Sequence, residues 1–295
     1  MRFLSDSVCA PSIMTEPTIV PKPRQKLSVL IPAGNEERNI VACIESARFA
    51  DEVVVVVDAA SKDKTLELAR THADRVLVHE YINSAAQKNW AIPQLSHPWA
   101  LVVDSDERLT EELKRDILQV LEADGPQDGY RIFRQNHFMG KAIKGCGWQR
   151  DKVLRLFRKD RGRYQDRHVH ADIIFPDGQP ASVGTLKGKF LHYTYESFDH
   201  YLQKFFRYSQ WAGEDRAERT ENVGWRHLLL RPLWRFFRQF VLFQGFRDGK
   251  IGFIICFMAA VSVFLKYAQA MEIHSTTRRR EKGGDAPHNT PAVGD

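Results

Sequence analysis

Asp104-Ser105-Asp106 places two carboxylates two residues apart, directly after the apolar run 99–103. In an extended segment residues two apart point the same way, so Asp104 and Asp106 share a side and Ser105 takes the other. Carboxylates so placed suit a hard divalent cation, Mg2+ or Mn2+. Such a cation acts as a Lewis acid on charge building at a leaving diphosphate. Alone, the triplet fits equally a solvated loop that supplies acidic residues to the next helix, with Glu107 and Glu111 as further members. Asp58 ends the valine run 53–57 in the same manner. It suits either an acceptor for a nucleobase imide or an ordinary strand-terminal turn. Lys88 follows Gln87 at the start of a helix, where it meets phosphate or simply faces solvent.

The elements that must position these groups alternate. Residues 27–31, 53–57, 75–79 and 99–103 read as strands. The unbroken valine run suits a strand covered on both faces, as in a parallel sheet. Asn35 is expected to cap a helix over 36–49, with Ile40, Cys43, Ile44 and Ala47 on one face. Ser61 is expected to cap a helix over 64–72, a further helix covers 85–92 up to Pro93, and Thr110 caps one over 111–122. Strand and helix repeats of this length build right-handed parallel units. In open sheets of this kind ligands bind outside the carboxyl ends of the strands. Three polar clusters fall there: Gly34-Asn35-Glu36, Asp58 with Ser61 and Asp63, and Asp104 with Asp106.

The middle, 129–195, reads as strands and turns, with strands at 130–134 and 153–158 and a hairpin-type turn at Asp177-Gly178. From Ser197 the pattern is helical. Phe198, Tyr201, Leu202, Phe205, Tyr208 and Ser209 are expected to share a face. Gly224 breaks the run, a helix follows over 225–244, and a third covers 251–270. The division expected is a loose leader at 1–25, a catalytic domain at 26–196, a helical region at 197–274 and a disordered tail at 275–295. The leader carries Pro17, Pro21 and Pro23, with Met14 as an alternative start.

The chain has 295 residues, 43% of them hydrophobic, and a net charge of +6. That surplus suits a phosphate-rich partner without choosing among nucleotide, lipid headgroup and nucleic acid. The acidic strand ends argue against nucleic acid. No G-x-G-x-x-G follows the first strand, which disfavours a nicotinamide dehydrogenase. Cys9, Cys43, Cys146 and Cys256 form no C-x-x-C pair, so a thiolate zinc site is not expected, and a reducing compartment is.

Taken in order, LSVLIPAGNEERNI, DEVVVVVDAASKDKT, AAQKNWAI, WALVVDSDE, GWQRDKVLRLFRK, LHYTYESFDHYLQKFFRYS and RPLWRFFRQFVLFQGFRDGKIGF resemble the family 2 inverting glycosyltransferases of GT-A fold. Within them the chain is similar to the bacterial lipopolysaccharide-core glucosyltransferase-like branch. The resemblance covers roughly residues 27–270. It implies that Pro32, Asn35 and Glu36 line a nucleotide pocket and that Asp58 meets the base. It places Lys88 near nucleotide or pyrophosphate, and Asp104 at ribose, metal or metal-bound water. Asp106 would ligate the metal, His192 would approach metal or diphosphate, and Arg155 would support the donor or acceptor. The branch often carries His-Glu after the middle strand, the glutamate being a natural base. Here the stretch reads His168-Val169-His170-Ala171-Asp172, so the base falls to Asp172, with Asp166 as second choice.

In the C-terminal part Arg231, Arg235 and Arg238 recur at helical spacing, with Leu229, Leu233, Phe236, Phe237 and Phe240 around them and Trp225 and Trp234 as interfacial aromatics. Residues 223–250 hold six Arg or Lys and one acid, Asp248. A basic amphipathic helix of this kind suits an anionic membrane surface. Residues 251–265 carry no charge, short of the roughly 20 that a span needs, which favours a surface-lying element.

The expectation is therefore an α/β GT-A domain with a membrane-associating helical appendage. It would move a hexosyl group from a nucleotide-sugar donor, UDP-linked, to a cell-envelope glycan or glycolipid, with Mg2+ or Mn2+. Its place would be cytoplasmic, peripheral on the cytoplasmic face of the inner membrane. Two other readings stand beside it. One is a polyprenyl-phosphate glycosyltransferase, whose phosphate acceptor needs little base assistance. The other is a nucleotide-sugar-binding protein without catalysis.

Overall fold

A computed structural model describes residues 23–166, 171–175, 182–220 and 222–282. His168, Val169, His170, the Asp177-Gly178 turn, Met14 and most of the leader lie outside the described residues.

The first half alternates as its pattern implies: β1 Leu27–Ala33, α1 Ile40–Ala47, β2 Glu52–Asp58, α2 Thr65–His72, β3 Arg75–His79, α3 Ser84–Ala91 and β4 Trp99–Val102. A three-residue strand, β5 Glu107–Leu109, and α4 Glu111–Glu122 follow. Next come β6 Gly129–Phe138, β7 Lys141–Ala142, β8 Lys152–Arg158, β9 Arg163–Tyr164, β10 Ile173–Ile174 and β11 Val183–Tyr195.

The main sheet has nine strands in the order β3-β2-β1-β4-β8-β6-β11-β5, with β7 on β6. The β3-β2-β1-β4 half is parallel throughout. Beyond β4 the sheet turns mixed: β8 runs antiparallel to β4 and β6, while β6 and β11 are parallel. Strand order reverses between β1 and β4, so a crevice opens at their carboxyl ends. The valines of β2 are all buried. Val53, Val55 and Val57 pack with α1 and α4 on one face, and Val54 and Val56 pack with α3 on the other. That two-sided cover is why the run shows no polar alternation.

Two expected caps are not formed. Asn35 has φ of 55° and ends no helix. Its Oδ1 accepts from Lys62 N at 2.9 Å, tying the first loop to the second. Glu36 and Glu37 donate their amides to Thr65 and Asp63, so α1 starts only at Ile40. Asp63, not Ser61, accepts from Thr65 N at the start of α2. Thr110 caps α4 as expected, accepting from Leu113 N at 3.2 Å.

The C-terminal part is helical. α5 Phe198–Arg219 is capped by Ser197, which accepts from His200 N. The expected helix at 225–244 is α6 Arg231–Phe237 flanked by π-helical turns at Arg226–Leu230 and Arg238–Leu242. α7 runs Gly249–Lys282. This corrects two expectations. The helix continues past 274 into the stretch read as a disordered tail. Moreover Gly245–Thr277 is long and apolar enough to cross a membrane, so length does not argue against a span. α6 packs antiparallel on α7, with His227 beside Tyr267 and Phe236 on Phe253. α5 lies alongside α7, from Phe205 near Ile255 to Thr220 O, which accepts from His274 Nε2 at 2.9 Å.

Candidate active site

The carboxyl ends of β1, β2 and β4 meet in a cavity of 530 Å3. Pro32, Glu36, Asp58, Asp104, Asp106 and His192 line it. A Cβ on Gly34 would lie 3.3 Å from that of Asp58, so the two loops approach closely there. Asp58 Oδ1 accepts from Ala60 N and Tyr81 N, which fixes the loops on both sides of it. Asn35 lies outside this cavity and borders a neighbouring depression with Glu36 and Asp106.

A second cavity of 520 Å3 adjoins the first and shares Asp104, Tyr81, Ser84, Arg207 and Tyr208 with it. Lys88, Arg155 and Asp172 line this second space. Asp166 lines neither; its side chain is 81% exposed and faces Arg163 at 3.4 Å. The geometry thus separates the two base candidates, and only Asp172 borders the cleft.

The two aspartates differ in surroundings. Lys88 Nζ reaches Asp104 Oδ1 at 2.9 Å, and Arg155 Nη2 donates to Asp104 Oδ2. Burial alone would raise the Asp104 pKa, but the Arg155 and Lys88 charges outweigh it and hold the carboxyl well below the usual range. Each Asp104 oxygen thus carries a cationic partner, which distinguishes it from Asp106. Asp106 has its Oδ2 3.5 Å from His192 Nε2. Burial raises its pKa, yet the His192 hydrogen bond and charge lower it below the ordinary value. His192 shifts the opposite way: burial opposes its proton, and Asp106 more than restores it.

The network beneath orients this pair. Asn136 Nδ2 donates to Asp151 Oδ2 at 2.9 Å, which fixes the amide, and Asn136 Oδ1 accepts from His192 Nδ1 at 2.5 Å. Nε2 is therefore the nitrogen turned to Asp106, as in a ligating histidine held by a supporting hydrogen bond. Asp151 also takes Arg134 through two bonds of 2.8 and 2.9 Å. Glu107 is fully buried, accepts from Asp104 N at 3.0 Å, and lies 3.8 Å from Arg134 and 3.9 Å from Arg155. Burial pushes its pKa up. Sequence patterning gives Glu107 to the following helix; its pairing with His192 across β5 and β11 is the signal missed.

Among the described residues no group of three or more His, Cys, Asp or Glu gathers around one point as a ready metal cage. The Asp106 and His192 pair still fits Mg2+ or Mn2+. Mg2+ in particular commonly takes one or two protein ligands and fills the rest with phosphate oxygens and water. Residues of α5 also enter the cleft: Lys204 at the first cavity, Arg207 and Tyr208 at both. Tyr208 is exposed there, whereas Tyr201 and Phe205 are buried.

A parallel half-sheet with an acidic pair at its switch point, continued by a mixed half-sheet, defines the GT-A class of glycosyltransferases. The chain belongs to the glycosyl transferase family 2, whose family model matches residues 28–175. It is 30% identical over 263 residues to the lipopolysaccharide core biosynthesis glycosyltransferase LpsC of Rhizobium meliloti, covering 87% of this chain and 96% of that protein. It is 25% identical over 262 residues to an uncharacterized glycosyltransferase of Rickettsia typhi, covering 86% and 89%. Among solved structures it is similar to S. aureus TarS 1-349, with 17% identity, 91% and 94% coverage and a TM-score of 0.40. It is also similar to the mannosyltransferase PcManGT of Pyrobaculum calidifontis in complex with GDP-Man and Mn2+, with 15% identity, 90% and 82% coverage and a TM-score of 0.46.

Proposed function

We propose that the chain is a metal-dependent inverting glycosyltransferase that moves a sugar from a nucleotide donor, UDP-linked, to a cell-envelope glycolipid of the lipopolysaccharide-core kind. One observation carries the reading: Asp106 and His192 face a cavity that also holds Asp58, while Asp104 is anchored by two cations. Asp58, Pro32 and Glu36 take the nucleoside end. Asp106 and His192 would hold a divalent cation, which would supply Lewis acidity to the leaving diphosphate. Lys204 and Arg207 add positive charge on the open side. The acceptor hydroxyl comes from the second cavity, gives its proton to Asp172, and attacks the anomeric carbon as the bond to diphosphate breaks. One displacement of this kind inverts the centre. Ala171 borders the second cavity without a proton-accepting group, and Asp172 beside it takes that task.

The test is diphosphate release from a panel of nucleotide sugars with and without Mn2+. Release with at least one donor is expected, lost with EDTA and restored by Mn2+. Full activity in chelator would refute the metal; no turnover of any donor would favour a binding protein without catalysis.

The helical part is proposed to dock on the cytoplasmic membrane face. Leu229, Leu230, Leu233, Trp234 and Phe237 are exposed together, and Trp225 is 77% exposed. Arg226, Arg235, Arg238, Arg247 and Lys250 lie exposed among or beside them. A span by α7 would carry α5 and α6 with it, including Arg216 and Arg231, whose guanidinium groups both sit 5.3 Å from the Tyr267 ring. Charged groups at bilayer depth are costly, so α7 lies at the surface. Changing Arg231, Arg235 and Arg238 together to Glu is expected to weaken binding to anionic vesicles by on the order of 100-fold, at about 1 kcal/mol per basic residue. Circular dichroism controls for the Arg231 contact to Tyr267. Unchanged vesicle sedimentation with native helicity would sink the docking surface.

A further inference from the structure

α5 presents two faces. Tyr201 and Phe205 are buried in the cluster that includes Ile255 and Cys256 of α7. Lys204, Arg207, Tyr208 and Trp211 recur at helical spacing and share the other side. They step from the first cavity to the second: Lys204 borders only the first of the two, Trp211 only the second, and Arg207 and Tyr208 border both. One helix therefore carries the wall of the cleft on one side and the helical appendage on the other.

The cations of the second cavity are not equivalent. Lys88 is held by Asp104, and Arg134 is held by Asp151 through two bonds. Arg207 has no carboxylate partner among the described residues. Its guanidinium sits 5.7 and 5.9 Å from the ring centroids of Tyr208 and Trp211. Trp211 is 43% exposed at that rim, and Tyr81 across it is 51% exposed. Exposed indole beside a guanidinium without a carboxylate partner among the described residues, at the mouth of the second cavity, combines two binding chemistries. The C–H face of a pyranose packs on an aromatic ring. The planar fork of arginine takes a carboxylate or phosphate through paired hydrogen bonds.

We infer that the second cavity is the acceptor subsite and that it takes a saccharide bearing an acidic group, carboxylate or phosphate. Trp211 stacks on the sugar ring and Arg207 takes the acid. The cavity shares Asp104 and Tyr208 with the donor space, so a sugar seated there abuts the donor. This inference rests on the proposed donor site and adds to it the chemical class of acceptor.

The test uses the full chain with saturating UDP and Mn2+, and glucose, glucuronate, glucose 6-phosphate and inorganic phosphate as probes, read by saturation-transfer NMR. UDP binding in the same samples reports on the donor reading. At least one acidic sugar is expected to bind ~10-fold more tightly than glucose, the scale of a charge-assisted pair. Which acid it is separates carboxylate from phosphate. Arg207→Gln should remove that preference, and Trp211→Ala should weaken all three sugars. UDP binding with no preference for either acid, or with no sugar bound, overturns the inference and spares the donor site. Phosphate alone binding as well as glucose 6-phosphate overturns the stacked sugar. Acid binding unaffected by Trp211→Ala places it outside the second cavity and overturns the assignment. Absence of UDP binding refutes the donor reading itself.

Discussion

Asp106→Ala will lower sugar transfer on the order of 10^3-fold, the scale of a Lewis acid's several kcal/mol at a leaving diphosphate. It will also abolish Mn2+-dependent UDP binding. The expectation follows from the difference between the two aspartates. Asp104 is spent on Lys88 and Arg155, so it keeps the strand end in place. Among the described residues Asp106 pairs through its side chain with His192 at 3.5 Å, and it opens on the donor cavity. Its removal also relieves the repulsion with Asp104. The urea midpoint should therefore move by less than about 1 kcal/mol equivalent. The decisive comparison is with chelator. EDTA should reduce the wild type to the level of the variant and do nothing further to the variant. If EDTA still lowers the residual activity of Asp106→Ala, the cation is held elsewhere.

How far the sequence reaches depends on the distance over which a contact is made. The parallel half is legible because β1, β2 and β4 are predominantly apolar runs, each ending in a polar cluster. That pattern places Asp58 and the Asp104 pair at one crevice before any coordinates are known. The Asn35 loop is less legible. Its helix-cap appearance is local, but its amide oxygen serves Lys62 N on the neighbouring loop. Glu107 is hidden for a related reason. It stands among acidic residues that suit a helix start, yet β5 pairs with β11, far along the chain. No local period marks so short a strand. α5 fails differently. Periodicity finds its buried side at Tyr201 and Phe205, but Tyr208 belongs to a second occupied face, that of the cleft. Hydrophobic spacing cannot separate a core tyrosine from one that lines a binding space. In α7 the charge at Lys266 ends the apolar run without ending the helix, since a lysine stem packs while its amine stays near the Tyr267 ring.

Arg155→Met should destabilise the fold by about 3–5 kcal/mol, the cost of breaking a buried charge pair from one side. Arg155 is 6% exposed at the heart of the network under the acidic pair. One of its Nη atoms serves Asp104, and the other donates to the Tyr164 hydroxyl at 3.0 Å. Glu107, fully buried, lies 3.9 Å away. Without the guanidinium, Asp104 keeps Lys88, but Glu107 loses one of its two guanidinium neighbours and is left with Arg134 at 3.8 Å. Methionine fills much of the volume, so the loss reports charge and hydrogen bonding more than a cavity. Arg155→Lys should lose less, because the charge remains while the fork to Tyr164 and Asp104 is gone. Adding Glu107→Gln to Arg155→Met removes the stranded carboxylate and should recover part of the stability. Urea midpoints of the wild type, Arg155→Met, Glu107→Gln alone and the double variant form a cycle that isolates this coupling. A shift below about 1 kcal/mol in Arg155→Met, or full additivity with Glu107→Gln, would show that the network merely lies beneath the site without holding Asp104 at its strand end.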